Sequence, residues 1–284
     1  MANTTSSIYQ FLKTNIGVPI GHILLFLMPK KAKQLSESGM TLVLNDLSLS
    51  EKFMRSAILK KLEKKQDYNT LESLHKNYWV NKGEDFFTET ENSFENEFLP
   101  NCAFIFDELE KILSSSNDQY TRLVEIGTGN GRVLNYLSSK FSNINHFIGI
   151  DLSPGQTEIN IKKYHGDSRL EFVASDGFDW VEKHGQSHTI FLTSRGVLEY
   201  FTEQRLQAFF NKVHCLGKII FIAIEPKGTD HDYDKNPNSQ PYGPERSFSH
   251  NYKKLFENAG FNLWHISYKS LNSSTIMGFI GAKN

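Results

Sequence analysis

The sequence predicts an α/β fold built on a mostly parallel sheet, and three observations carry that expectation. Short apolar runs rich in β-branched and aromatic residues end near Ile126, Ile150, Ala174, Thr193 and Ile224, at intervals of 24, 24, 19 and 31 residues, with segments of helical period between them. Runs such as Ile190-Phe191-Leu192 and Ile219 to Ile224 do not alternate with polar side chains, as expected of strands covered on both faces by helices. The chain also has material for a large core. Its 284 residues are 39% hydrophobic, and the 19 glycines bring the apolar share to about 46%, inside the globular range of roughly 45–50%. Length over ~150 fits one large α/β domain with an accessory piece, or two domains.

The accessory piece comes first. Ile16 to Met28 is apolar apart from Pro19 and His22, too short for the ~20 residues of a spanning helix. Lys30, Lys31 and Lys33 follow the apolar run, whereas a signal peptide carries its charge before it. We expect a helix that packs on the body of the protein, with a peripheral membrane contact as the alternative and no stable insertion. Leu49, Phe53, Ile58 and Leu62 then have helical spacing within a lysine-rich stretch. Residues 30–65 hold nine Lys or Arg against four acids, and residues 84–110 hold nine acids and no base. Pro100 introduces a further helix over Asn101 to Ser114.

In the strand-and-helix region, Val133, Leu134 and Leu137 place a helix over Arg132 to Lys140, and Ser153-Pro154-Gly155-Gln156 reads as a capping box. Tyr252, Leu255, Phe256 and Ala259 form a helix stopped by Gly260, and strands near Phe261–Tyr268 and Thr275–Ala282 close the chain. The net charge of -1 excludes a protein whose main task is to coat nucleic acid, because such binding draws on excess Lys and Arg. Cys102 and Cys215 make neither a disulfide framework nor a four-thiolate zinc site. We expect a reducing, cytoplasmic setting and no metal.

The most informative string is Glu125-Ile126-Gly127-Thr128-Gly129-Asn130-Gly131, where a strand enters a helix through three alternate glycines. Glycine admits positive φ and lets a ligand approach the backbone. The string is not the dinucleotide pattern G-x-G-x-x-G, because position 132 is Arg132. A carboxylate two residues before the first glycine suits a ligand that carries an ammonium and no phosphate. Asp151 follows the second strand, 20 residues after Gly131, where a carboxylate accepts the hydroxyls of a ribose. Asp176 follows the third strand, placed to accept from an adenine amino group.

Together, Glu125 to Gly131, Gly149-Ile150-Asp151-Leu152-Ser153, Ala174-Ser175-Asp176-Gly177 and Ala259-Gly260-Phe261 resemble the class I S-adenosylmethionine-dependent methyltransferases over roughly Pro100 to Asn284. The resemblance implies a Rossmann-like sheet of seven strands, the last antiparallel, with residues 1–100 as a helical cap and 101–284 as the catalytic domain. It implies S-adenosylmethionine as cofactor and S-adenosylhomocysteine as product. The cofactor residues would be Glu125, Gly127, Thr128, Gly129, Asn130, Gly131, Asp151, Leu152, Ser153, Asp176, Gly177, Phe178 and Ser194.

The fourth strand leads into Thr193-Ser194-Arg195-Gly196-Val197-Leu198-Glu199-Tyr200, which lacks the Asn-Pro-Pro-aromatic signature of enzymes that methylate the amino groups of bases and glutamine. There is no Pro-Cys pair for attack on cytosine. A small-molecule acceptor at oxygen or nitrogen is therefore expected, the alternatives being a peptide received by the acidic segment 84–98 or a non-catalytic cofactor-binding subunit. Arg195 is expected to pair with a carboxylate, on the substrate or Glu225. Proton-acceptor candidates are His250 first, then Glu199, His231 and Tyr200. Tyr78-Trp79 and Phe86-Phe87 are candidates for enclosing the substrate, as is the long connection Pro226 to Phe248. Oligomeric state is left open.

Overall fold

The computed structural model describes residues 17–40, 47–271 and 276–284. The chain separates into two compact units, one comprising residues up to Asn81 with Pro241–Ser247, the other Lys82–Gln240 with Phe248–Asn284. In the first unit, α1 (Val18–Leu27) and α2 (Pro29–Ser38) are followed by α3 (Leu49–Lys65) and the start of α4 (Tyr68–Glu89). Ser48 caps α3 in a full capping box with Glu51. Gly21 lets α1 lie directly on α3, since a Cβ there would stand 2.2 Å from the Phe53 carbonyl oxygen. Arg55 is buried on α3 and donates to the carbonyls of Met40 and Pro244 at 3.4 and 3.3 Å.

The second unit is the expected sheet. After a π-helical turn at Phe94–Phe98, a single turn at Leu99–Cys102 and α5 (Phe104–Ser115), strands and helices alternate. They are β1 (Arg122–Ile126), α6 (Arg132–Lys140), β2 (His146–Asp151), α7 (Pro154–Lys163), β3 (Leu170–Ala174), α8 (Gly177–His184), β4 (Thr189–Ser194), α9 (Glu203–His214) and β5 (Ile219–Lys227). A two-stranded ribbon, β6 (Gln240–Tyr242) and β7 (Ser247–Ser249), precedes α10 (Tyr252–Asn258), β8 (Asn262–Ser270) and β9 (Ile276–Lys283). The sheet order is β3-β2-β1-β4-β5-β9-β8, and β9 runs antiparallel to both its neighbours. Seven strands with one antiparallel member are thus observed.

Each face of this sheet is covered by its own apolar cluster. Phe191, Phe209, Phe210, Phe221 and Phe256 centre one; Phe98, Phe106, Phe147, Ile220 and Phe279 belong to the other. Double coverage is why β4 and β5 read as unbroken apolar runs. One expectation is corrected at the head of α7. Ser153 does cap the helix, accepting from the Gln156 amide at 3.3 Å, but the reciprocal half of the box is absent. The Ser153 amide donates instead to Asp151 at 2.9 Å, and the Gln156 side chain reaches Asn160 at 2.9 Å. A carboxylate at the strand end out-competes a neutral amide for that N–H.

Candidate active site

The site forms where β1, β2, β3 and β4 end, at the point where strand order reverses and an open α/β sheet parts to leave a crevice. Gly127, Gly129 and Gly131 all have positive φ, at 72°, 52° and 73°. Space is as tight as the dihedrals require. A Cβ on Gly127 would meet Val197 at 2.4 Å, and one on Gly131 would meet Tyr164 at 2.7 Å and Phe172 at 2.9 Å. The loop is held from below by side chains: Asn160 donates to the Gly129 carbonyl at 2.7 Å and Tyr164 to the Asn130 carbonyl at 2.9 Å.

Glu125 sits under this loop with no exposure. Thr128 and Ser194 donate to its two oxygens at 2.8 and 3.0 Å, and burial pushes its carboxyl up to about 8. Near neutrality it is therefore a protonated acid that a cationic ligand would ionise. Asp151 is also buried, and one oxygen accepts from the Gly129 amide and the other from Ser153, both at 2.9 Å. Burial raises its carboxyl as well, opposed by those amides. A carboxylate has about four lone-pair positions, so these bonds orient Asp151 and leave acceptor capacity. Asp176 caps α8 through the Phe178 amide at 3.0 Å. The same oxygen takes the Arg205 guanidinium at 2.7 Å, and Arg205 lies over the Phe201 ring at 4.7 Å. Sequence reasoning missed Arg205 because 29 residues separate it from Asp176 and no spacing rule links them.

The end of α4 that belongs to this unit lies on the glycine loop. A Cβ on Gly129 would touch the Phe87 ring at 2.6 Å, and one on Gly155 would touch Glu84 at 2.3 Å. The π-helical turn after it is fastened to the site's rim. Arg132 donates to the Glu91 carbonyl at 2.7 Å, ion-pairs with Glu95 and stacks on Phe94 at 5.4 Å. Lys163 faces Glu91 at 3.8 Å. Of the expected enclosing aromatics, Phe86 and Phe87 belong to this unit, whereas Tyr78 and Trp79 belong to the first.

Three expectations need correction. Arg195 does not pair with Glu225; it bonds Glu97 at 2.6 Å and the Ser93 carbonyl at 3.4 Å, closing the clasp over the end of β4. Glu225, wholly buried, accepts from the amides of Val197 and Leu198 at 3.0 and 3.2 Å, and burial pushes it up to about 8. His250 is also wholly buried and has both ring nitrogens occupied, by Ser239 at 2.6 Å and the Leu198 carbonyl at 3.1 Å. Burial lowers it to about 4, so it is a neutral brace without an open face. His231 is likewise engaged on both sides, by Ser249 at 2.9 Å and the Asn236 carbonyl at 3.0 Å. Glu199 and Tyr200 lie in a 3-10 turn just past β4, Glu199 beside Gly196. No group of metal-ligating side chains occurs among the described residues.

Residues 123–218 match the model of a family described as a methyltransferase domain. No curated protein sequence matches the chain. Among solved structures, a Galdieria sulphuraria protein assigned as a sarcosine dimethylglycine methyltransferase is similar at 9% identity and a TM-score of 0.50, over 71% of this chain and 97% of that one. At these identities the likeness is one of fold. A Synechocystis magnesium protoporphyrin IX methyltransferase with bound S-adenosylmethionine is 12% identical, over 71% of this chain and 95% of that one, with a TM-score of 0.46. A Haemonchus contortus phosphoethanolamine N-methyltransferase is 12% identical over 72% and 60%, with a TM-score of 0.48.

Proposed function

We propose that the class I S-adenosylmethionine-dependent methyltransferase domain carried by this chain methylates a small molecule at oxygen or nitrogen by in-line displacement. The observation that carries the reading is Glu125: a fully buried acid with no ion pair among the described residues, under a loop of three left-handed glycines at the sheet's switch point. The residues fit the cofactor. Glu125 is suited to the ammonium of its methionine part, Asp151 to the ribose, and Asp176 to the adenine. Bound there, S-adenosylmethionine supplies an electrophilic methyl group on a sulfonium.

The chain's own residues have three tasks. The loop Gly127 to Gly131, pinned by Asp151, Asn160 and Tyr164, gives the ligand a fixed floor, since alignment of the attacking atom is the main lever in a displacement of this kind. Phe87 and the clasp formed by Arg132, Arg195, Glu95 and Glu97 exclude water from the rim. Glu199, on the 3-10 turn just past β4, takes a proton where the acceptor must lose one. Internal pairing of Glu91, Glu95 and Glu97 argues against the peptide alternative, because those carboxylates are already committed to Lys163, Arg132 and Arg195.

The test is methyl release across pools of small hydroxy and amino compounds and of basic peptides. Turnover with a small compound, lowered about tenfold to a thousandfold in Glu199→Gln with S-adenosylhomocysteine affinity unchanged, is expected. Turnover with peptides alone, or none with any pool, would remove the small-molecule reading.

A further inference from the structure

Helix α1 is apolar yet covers little. Gly21 is its one buried residue, while Ile23, Phe26 and Leu27 are 60%, 85% and 66% exposed, and Ile20 and the following Met28 are also exposed. Large apolar side chains left in water side by side mark a surface that another body covers. No helix among the described residues is long and apolar enough to cross a membrane, and the ten residues of α1 are about half the ~20 needed.

Lysines outnumber acids at the Met28 end of this patch. The chain turns at Met28 into α2, which begins Pro29-Lys30-Lys31. Gly17 lies against Phe53, and Gly21 against Phe53 and Ala57, so α1 runs beside α3 in the same direction. That direction carries the Phe26-Leu27-Met28 end toward the lysines at the end of α3. Lys31 and Lys60 have acidic partners, Glu51 at 2.8 Å and Glu63 at 3.1 Å. Lys30, Lys61, Lys64 and Lys65 are exposed and have no ion pair among the described residues.

We propose that α1 and these lysines form a docking surface for an anionic lipid bilayer. Phe26, Leu27 and Ile23 enter the boundary between headgroups and acyl chains, and the lysines meet lipid phosphates and carboxylates. An apolar helix face flanked by unpaired lysines is the pattern that binds such an interface without spanning it. A second copy of the chain is the poorer occupant. A two-fold contact would cover the apolar face but supply no counter-charge to Lys30, Lys61, Lys64 and Lys65.

The test is sedimentation of the full chain with phosphatidylcholine vesicles, with and without phosphatidylserine. Co-sedimentation that needs phosphatidylserine and weakens with added salt is expected. Because both side chains are exposed, Phe26→Glu with Leu27→Glu should keep the circular dichroism spectrum and S-adenosylhomocysteine binding while lowering vesicle partition about tenfold or more. Lys30→Glu with Lys64→Glu should abolish the preference for phosphatidylserine. Absence of vesicle binding, equal binding by the Phe26→Glu, Leu27→Glu chain, or a dimer by light scattering that this pair of substitutions disperses would overturn the proposal.

Discussion

At the residue scale the behaviour of the site turns on Glu125. Its carboxyl is pushed up to about 8 by burial, so the ligand-free protein holds a proton there at neutral pH. A ligand ammonium favours the ionised form, so binding must expel that proton. S-adenosylhomocysteine affinity is therefore expected to rise with pH below about 8, by up to about tenfold per unit. Calorimetry in two buffers of different ionisation heat reads the released proton directly. A pH-independent affinity with no proton release would show that Glu125 does not meet the ammonium. Gly131 gives a second residue-level test. Alanine there must hold φ near 73° and displace the Phe172 and Tyr164 rings, an expected loss of about 1–3 kcal/mol in urea unfolding. A midpoint equal to the unsubstituted protein's would contradict the geometry of the loop.

At the scale of elements, the stretch from the end of α4 through the π-helical turn acts as one clasp. Its acids reach cations on α6, on α7 and on the turn after β4: Glu95 to Arg132, Glu91 to Lys163 and Glu97 to Arg195. The Glu97 and Arg195 side chains are 63% and 32% exposed, so solvent screening leaves their pair little weight in global stability. Its effect belongs to the lifetime of the closed rim. Arg195→Ala is expected to speed S-adenosylhomocysteine dissociation several-fold in stopped-flow, with a melting temperature close to the unsubstituted one. A large drop in melting temperature with unchanged dissociation would make the pair a fold element instead.

At the scale of the whole molecule, local patterns were legible and long-range pairings were not. β4 and β5 announced themselves as unbroken apolar runs, and the loop at Gly127, Gly129 and Gly131 by its alternate glycines, because burial on two faces and positive φ restrict residue type locally. The position of Asp176 was readable in the same way, but its Arg205 partner was not. The residue type of Arg195 points to a carboxylate partner but not to Glu97 in place of Glu225, since Glu97 lies 98 residues away and π-helical turns carry no periodic signal. His250 shows the opposite limit. Its residue type suggests proton transfer, while burial beneath the turn after β4 is a tertiary fact. The basic and acidic stretches that cancel to a net charge of -1 also have separate fates: Glu91, Glu95 and Glu97 clasp the site, and the lysines remain on the first unit.

The central claim is that the switch-point crevice beneath Phe87 is a cofactor site. A calorimetric titration of the full chain with S-adenosylhomocysteine tests it most directly. Saturation at one ligand per chain, weakened about tenfold or more in Glu125→Gln, is the predicted result, since hydrogen bonds to charged groups contribute about 1.5–3 kcal/mol. A folded chain that gives no saturable heat would contradict it.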